Sequence, residues 1–63
     1  MLTLRKVNKE LAPFGVELVK GDGYFYFEGE VVDSKYSTSV YVFRLNQLTL
    51  EQWLEEFQNI LKS

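Results

Sequence analysis

The side chains that could do chemistry in this chain are hydroxyls, amines and carboxylates, because the sequence contains no histidine and no cysteine. A cluster of hydroxyls surrounds one amine at Ser34, Lys35, Ser37, Thr38 and Ser39. A serine–lysine pair becomes nucleophilic only where the lysine is buried and loses its proton. This polar stretch is instead typical of an exposed loop. We therefore predict no catalytic residue and no enzyme activity.

The carboxylates Glu28, Glu30 and Asp33 lie close together in the sequence. Carboxylates bind hard cations, but this spacing matches no calcium-binding loop. The missing histidine and cysteine exclude the usual zinc and iron–sulfur ligand sets. We predict no metal, no cofactor and no small-molecule substrate, because a chain of 63 residues is too short to enclose a deep pocket.

The elements that must position the remaining side chains are centred on a β-hairpin. Two β-prone runs flank a Gly-Asp-Gly break at 21–23, and glycine supplies the positive φ values that tight turns require. A third run is rich in β-branched and aromatic residues. The polar stretch 30–39 predicts a loop or an irregular hairpin end. The predicted strands cover residues 16–20, 24–28 (or 24–30) and 39–45.

Two amphipathic helices flank these strands. Residues 3–12 have apolar side chains at helical spacing, and Thr3 is placed to cap the first turn. The second helix is predicted over 50–62, where Thr49 and Gln52 match the capping box that precedes an apolar stripe.

The order α-β-β-β-α predicts an α+β fold. We expect one domain over 1–63, with a three-stranded antiparallel sheet and both helices packed on one face of it. Arg44 marks the solvated side of the third strand, which assigns Tyr41 and Phe43 to the core. The predicted core consists of Leu4, Val7, Leu11, Phe14, Val16, Leu18, Phe25, Phe27, Tyr41, Phe43, Leu45, Trp53, Leu54, Phe57 and Leu61.

The opposite face of the predicted sheet is unusually apolar and aromatic for a surface in contact with water. Patches of this kind often mark interaction sites, and tyrosine and arginine are enriched in interface hot spots. The alternatives are self-association, a foreign protein partner, or β-prone strands whose tyrosine hydroxyls face water. The candidate interaction face comprises Tyr24, Tyr26, Val40, Val42 and Arg44.

The element order, together with the run VNKEL at 7–11, resembles the double-stranded RNA-binding domain. Members of that family recognise A-form RNA by its shape across two minor grooves, and their second helix opens with lysines that contact phosphates. Here the second helix opens with the acidic run 49–56. The resemblance implies the topology, and it leaves weak RNA or DNA binding through Arg5, Lys6 and Lys9 as an alternative.

Three further runs are similar to small open reading frames of bacteriophages and prophages. They are ELAPFGVELV at 10–19, STSVYV at 37–42 and LTLEQWLEE at 48–56. This resemblance implies a phage or prophage origin and a small accessory role, and it implies no site residues.

We expect a non-enzymatic protein-interaction or self-associating accessory module, with a second copy or another protein as its partner. A competing hypothesis is an inhibitor of a host nucleic-acid machine, such as a restriction or CRISPR complex. Its acidic helix face, Glu51, Glu55 and Glu56, would then meet a basic groove, although exposed helix faces are ordinarily charged.

The cellular setting is predicted from the hydropathy pattern. Residues 1–6 lack the apolar core of a signal peptide, and no apolar run approaches the roughly 20 residues that a membrane span requires. We expect a cytoplasmic protein without a membrane segment. The net charge of −2 gives no field that would draw the whole molecule to nucleic acid.

Overall fold

A three-stranded antiparallel sheet and two longer helices form the fold, which confirms the α+β class. The computed structural model describes residues 1–35 and 38–62. A one-turn helix, α2, lies between the second and third strands and was not predicted. The elements are α1 (Leu4–Leu11), β1 (Glu17–Lys20), β2 (Phe25–Glu28), α2 (Glu30–Asp33), β3 (Ser39–Val40) and α3 (Leu50–Lys62).

Local hydrogen bonds set the ends of α1 as predicted. The Thr3 hydroxyl accepts from the Lys6 amide at 3.2 Å, which satisfies one of the free amides of the first turn. After Leu11 the chain tightens into a single 3-10 turn over Ala12–Phe14. Gly15 then reverses the chain with a φ of 70°, a conformation that glycine adopts without steric cost.

The start of α3 is a reciprocal capping box, as the sequence predicted. The Gln52 amide donates to the Thr49 hydroxyl at 3.1 Å, and the Thr49 amide donates to the Gln52 side-chain oxygen at 2.9 Å. At the other end, the amine of Lys35 donates to the carbonyl of Leu61 at 3.0 Å. This bond ties the segment after α2 to one of the free carbonyls of the last turn.

The strands form a meander in the order β1-β2-β3. Leu18 of β1 lies opposite Phe27 of β2, and Val19 lies opposite Tyr26. The hairpin turn closes with a 2.8 Å bond from the Gly21 amide to the Tyr24 carbonyl. Because side chains alternate along a strand, this register separates a covered face from an open face.

The covered face of the sheet packs against α1 and α3 around a single tryptophan. Trp53 lies edge-on to Phe25, with ring centroids 5.3 Å apart, and its indole N–H donates to the Leu45 carbonyl at 2.8 Å. Both longer helices contribute to the same core, as predicted. The buried apolar residues are Val7, Leu11, Val16, Leu18, Phe25, Phe27, Val32, Trp53, Phe57 and Ile60.

The third strand is shorter than predicted, and its faces are reversed. The ladder ends at Val40, which lies opposite Phe25 and therefore on the core side. The Val42 amide donates to the Val40 carbonyl at 3.1 Å, which makes a tight turn at Tyr41 where the pairing with β2 ends. Val40 and Val42 pack against the core, whereas Tyr41 and Phe43 are 80% and 77% exposed. The predicted strand over 39–45 is too long, and its predicted faces are wrong because Arg44, which marked the solvated side, lies beyond the end of the strand. The side chains of 40–43 themselves alternate between the core and the surface.

The core assignment differs at three further positions. Phe14 contacts Phe57 at a centroid distance of 5.2 Å but is 47% exposed. Val32 is buried although it falls in the stretch predicted to be a polar loop, and Ile60 of α3 is buried as well. The remaining predicted core leucines are half-buried against this core: Leu4, Leu45, Leu54 and Leu61. Ser37 of the predicted loop lies outside the described residues.

No helix within residues 1–35 and 38–62 is long and apolar enough to cross a membrane.

Candidate interaction face

Three tyrosine rings lie side by side on the open face of the sheet. The ring centroids of Tyr24 and Tyr26 are 6.0 Å apart, and those of Tyr24 and Tyr41 are 6.1 Å apart. Such distances are typical of aromatic pairs in contact. We call this surface the tyrosine face, and it consists of Glu17, Val19, Tyr24, Tyr26, Glu28 and Tyr41.

The strand register gives the tyrosine face an aromatic end and an acidic end. Val19 lies opposite Tyr26 in the middle of the hairpin, and Glu17 lies opposite Glu28 at the end away from the turn. Both glutamates are exposed. Two like charges that face each other across a strand pair repel, so this end carries concentrated negative charge beside the aromatic rings.

The ring of Tyr24 lies directly over Gly21 in the hairpin turn. A β-carbon built on Gly21 would fall 2.5 to 2.8 Å from atoms of that ring. Gly21 has no positive φ, so its backbone does not require glycine. The missing side chain gives the ring its space next to the turn.

The outer edge of β1 is covered by a side chain from α1. The Leu18 amide donates to the side-chain oxygen of Asn8 at 2.6 Å, and the Asn8 side-chain nitrogen donates to the Leu18 carbonyl at 3.3 Å. Asn8 thus makes the bonds that a neighbouring strand would make at this position. The covered edge leaves the tyrosine face, rather than the β1 edge at Leu18, as the open surface of the hairpin.

The structure brings together only part of the predicted interaction face. Tyr24 and Tyr26 lie on the open face, whereas Val40 and Val42 pack against the core. Arg44 is exposed in the turn after β3, where the Arg44 amide donates to the side-chain oxygen of Gln47 at 2.9 Å. It is therefore not a strand residue, and its polarity does not mark a face of the sheet.

Tyr41 belongs to the tyrosine face but was assigned to the core. The alternation along 40–43 places it on this face when Val40, rather than Tyr41, is assigned to the core side. Phe43 is similarly exposed but lies at the hairpin turn, where it lines a shallow groove of about 300 Å³. That groove is lined by Met1, Leu2, Leu4, Lys20, Phe25, Phe43, Arg44, Leu45 and Asn46.

The acidic and basic residues that were predicted as alternative binding surfaces lie on the helices, across the sheet from the tyrosine face. Glu51 and Glu55 are exposed one turn apart on α3, and Glu56 is half-buried. The basic residues of α1 are exposed and line a broad concave surface with Thr3 and Glu10. They are Arg5, Lys6 and Lys9.

Among the hydroxyls considered for chemistry, Ser34 is exposed and Thr38 and Ser39 are half-buried. The amine of Lys35 caps α3 through the Leu61 carbonyl. Glu28, Glu30 and Asp33 are exposed, and no group of three acidic residues in 1–35 and 38–62 is arranged to hold a metal ion.

Comparison of the chain with protein-family models, curated proteins and solved structures finds no match.

Proposed function

We propose that the chain is a small, non-enzymatic protein-interaction module that binds its partner through the tyrosine face. The observation that supports this proposal is the contact of Tyr24 with both Tyr26 and Tyr41 on the uncovered face of the sheet. Tyr41 is 80% exposed. A large aromatic side chain on a surface offers contact area to a partner at little cost in conformational entropy.

The architecture supports the same function. α1 and α3 supply the core on one side of the sheet. On the other side, Tyr24 and Tyr26 are half-buried and Tyr41 is exposed. A domain of 63 residues buries a small core and has limited stability of its own. A partner that binds the folded chain adds stability by mass action.

The similarity of three runs to small phage proteins supports a setting for this module. We propose an accessory role in a phage or prophage, exercised in the cytoplasm of the bacterial host. The partner is either a second copy of the chain or another protein.

Site-specific photo-cross-linking tests the proposed function. The photoreactive residue p-benzoylphenylalanine replaces Tyr41 in one variant and Phe43 in the other, and each is irradiated in the producing cell. These two aromatic side chains are almost equally exposed, at 80% and 77%, but only Tyr41 lies on the tyrosine face. We expect a discrete protein adduct from position 41 and none of the same mass from position 43.

The identity of the adduct distinguishes the partners. An adduct of twice the mass of the chain indicates self-association, and a different peptide set in mass spectrometry indicates a foreign protein. Tyr26→Asp should abolish the adduct from position 41 while circular dichroism shows that the fold persists. Equal adducts from positions 41 and 43, or an adduct that survives Tyr26→Asp, would contradict the proposal.

A further inference from the structure

We propose that the tyrosine face binds an extended basic segment of a different protein, with arginine or lysine side chains over the tyrosine rings and beside Glu17 and Glu28. This inference rests on the proposed function and adds the chemistry of the partner. Two observations support the inference: the acidic end of the face is negatively charged, and it lies next to the tyrosine rings.

The acidic end of the face has two carboxylates in register with each other. Glu17 and Glu28 are direct cross-strand neighbours, both are exposed, and like charges in this position are unfavourable for folding. A cation placed between them removes that repulsion. The repulsion between Glu17 and Glu28 therefore favours binding of a positively charged group at this end of the face.

The aromatic end has the chemistry that attracts the same kind of group. The faces of tyrosine rings carry negative electrostatic potential and attract guanidinium and ammonium groups within about 6 Å of the ring centre. Arginine also stacks flat on such rings. The rings of Tyr24 and Tyr41 are adjacent at 6.1 Å, so one arginine can contact both.

The length of the face fits an extended chain. Glu28 follows Tyr24 by four positions, which corresponds to about 13 Å along a strand. Two cations that are two to four residues apart on an extended segment would reach the aromatic end and the acidic end together.

A second copy of the chain does not supply the complementary charge on an extended segment, because its exposed basic cluster, Arg5, Lys6 and Lys9, lies on the helix α1. None of the six residues of the tyrosine face is basic, and the chain has a net charge of −2. Two such faces in contact would bring together two glutamate pairs without a counter-charge, which opposes association.

Peptide titration followed by ¹H–¹⁵N NMR tests this inference. The probe is an eight-residue peptide of alternating arginine and serine, and its control has citrulline, an uncharged analogue, at each arginine. We expect the arginine peptide to shift the amide signals of Val19, Tyr24, Tyr26 and Tyr41. We expect the citrulline peptide to bind at least about tenfold more weakly, and salt to weaken the arginine peptide further.

Glu28→Gln tests the acidic end of the face, and Glu10→Gln is its matched control, because each variant removes one negative charge. Glu28→Gln should raise the melting temperature of the free protein, because it removes the repulsion with Glu17, and should weaken arginine-peptide binding about two- to fivefold. Glu10→Gln removes one exposed charge from α1 and should change neither quantity. A structural role alone would not produce higher stability together with weaker binding.

Several results would overturn the inference. Equal binding of both peptides, binding that Glu28→Gln leaves unchanged, or signal shifts confined to α1 would each do so. These failures are distinct from failure of the proposed function. A second copy of the chain cross-linked from position 41 would preserve the interaction module and overturn the basic partner.

Discussion

At the scale of single residues, Trp53 joins three parts of the molecule. It is the only tryptophan in the chain and is fully buried. Its ring lies edge-on to Phe25 and Phe27, at centroid distances of 5.3 and 6.3 Å. Its indole N–H donates to the Leu45 carbonyl. This side chain therefore connects α3, β2 and the segment after β3 through both packing and a hydrogen bond.

Trp53→Phe should lower the free energy of unfolding by about 1–3 kcal/mol, because it leaves a cavity and a carbonyl without its donor. Urea denaturation followed by circular dichroism measures this change. Phe43→Leu is the control, since Phe43 is 77% exposed, and it should change stability by less than about 0.5 kcal/mol. The reverse order of the two effects would show that Phe43, rather than Trp53, stabilises the core.

The sequence predicted individual residues well where a regular helix carries them. Trp53 and Phe57 were assigned to the core because helical spacing places them on one stripe, and both are buried. Tyr41 and Phe43 were assigned to the core by alternation and are exposed. Alternation itself holds at both residues, but its phase was taken from Arg44, which lies beyond the end of the strand.

At the scale of elements, Asn8 links α1 to the edge strand β1. Its amide group makes one bond with the Leu18 N–H and another with the Leu18 carbonyl. A helix side chain thereby satisfies backbone groups that a sheet edge ordinarily leaves to water or to another chain.

Asn8→Ala should lower the free energy of unfolding by about 1–2 kcal/mol and should speed exchange of the Leu18 amide hydrogen. Hydrogen exchange followed by NMR measures the second effect at that amide. Lys9→Ala, at an exposed neighbouring position of α1, is expected to leave the Leu18 amide unchanged. If the Leu18 amide hydrogen exchanges at the same rate in both variants, the hydrogen bonds of Asn8 do not stabilise the edge of β1.

The two longer helices and the first hairpin were predicted, whereas the extent of β3 and the one-turn helix α2 were not. The caps at Thr3 and Thr49 need partners only three residues away, so the helix starts could be read from the sequence. The length of β3 depends instead on pairing with β2, in which Val40 and Ser39 lie opposite Phe25 and Tyr26. The one-turn helix α2 buries Val32 within a stretch whose polar composition is typical of a loop.

At the scale of the whole molecule, two glycines meet where the chain passes from α1 to β1 and from β2 to α2. A β-carbon on Gly29 would collide with the carbonyl oxygen of Gly15 and would lie 3.1 and 3.2 Å from two atoms of Val16, and Gly29 has a φ of 156°. Gly15 also has a positive φ, of 70°, but no atom lies within 4 Å of its own β-carbon position. Gly15 is therefore required for its backbone conformation alone, whereas Gly29 is required for its conformation and for its small size.

Gly29→Ala should prevent folding, because a clash with backbone atoms adds to an unfavourable φ and the resulting loss is comparable with the whole stability of a small domain. Gly15→Ala has only the conformational cost of about 1–2 kcal/mol and should remain folded. The dispersion of ¹H–¹⁵N NMR spectra distinguishes the two outcomes. Equal loss of structure in both variants would mean that the close approach at Gly29 is unimportant.

The fold class was predictable because amphipathic stripes and β-prone runs must bury their apolar sides together. The candidate site was predictable only in part. Tyr24 and Tyr26 lie on the open face as expected, since they belong to the hairpin, whereas Val40 and Val42 do not. The third ring, Tyr41, comes from a segment whose path depends on tertiary packing.

Under the proposed function, Gly21 beneath Tyr24 affects partner binding more than it affects folding. A larger residue at position 21 meets only the outer atoms of a movable ring, so the chain can still fold after the ring swings aside. The same change rearranges the surface that a partner would contact. A library screened for solubility should therefore accept many residues at position 21, and one screened for partner capture should retain glycine.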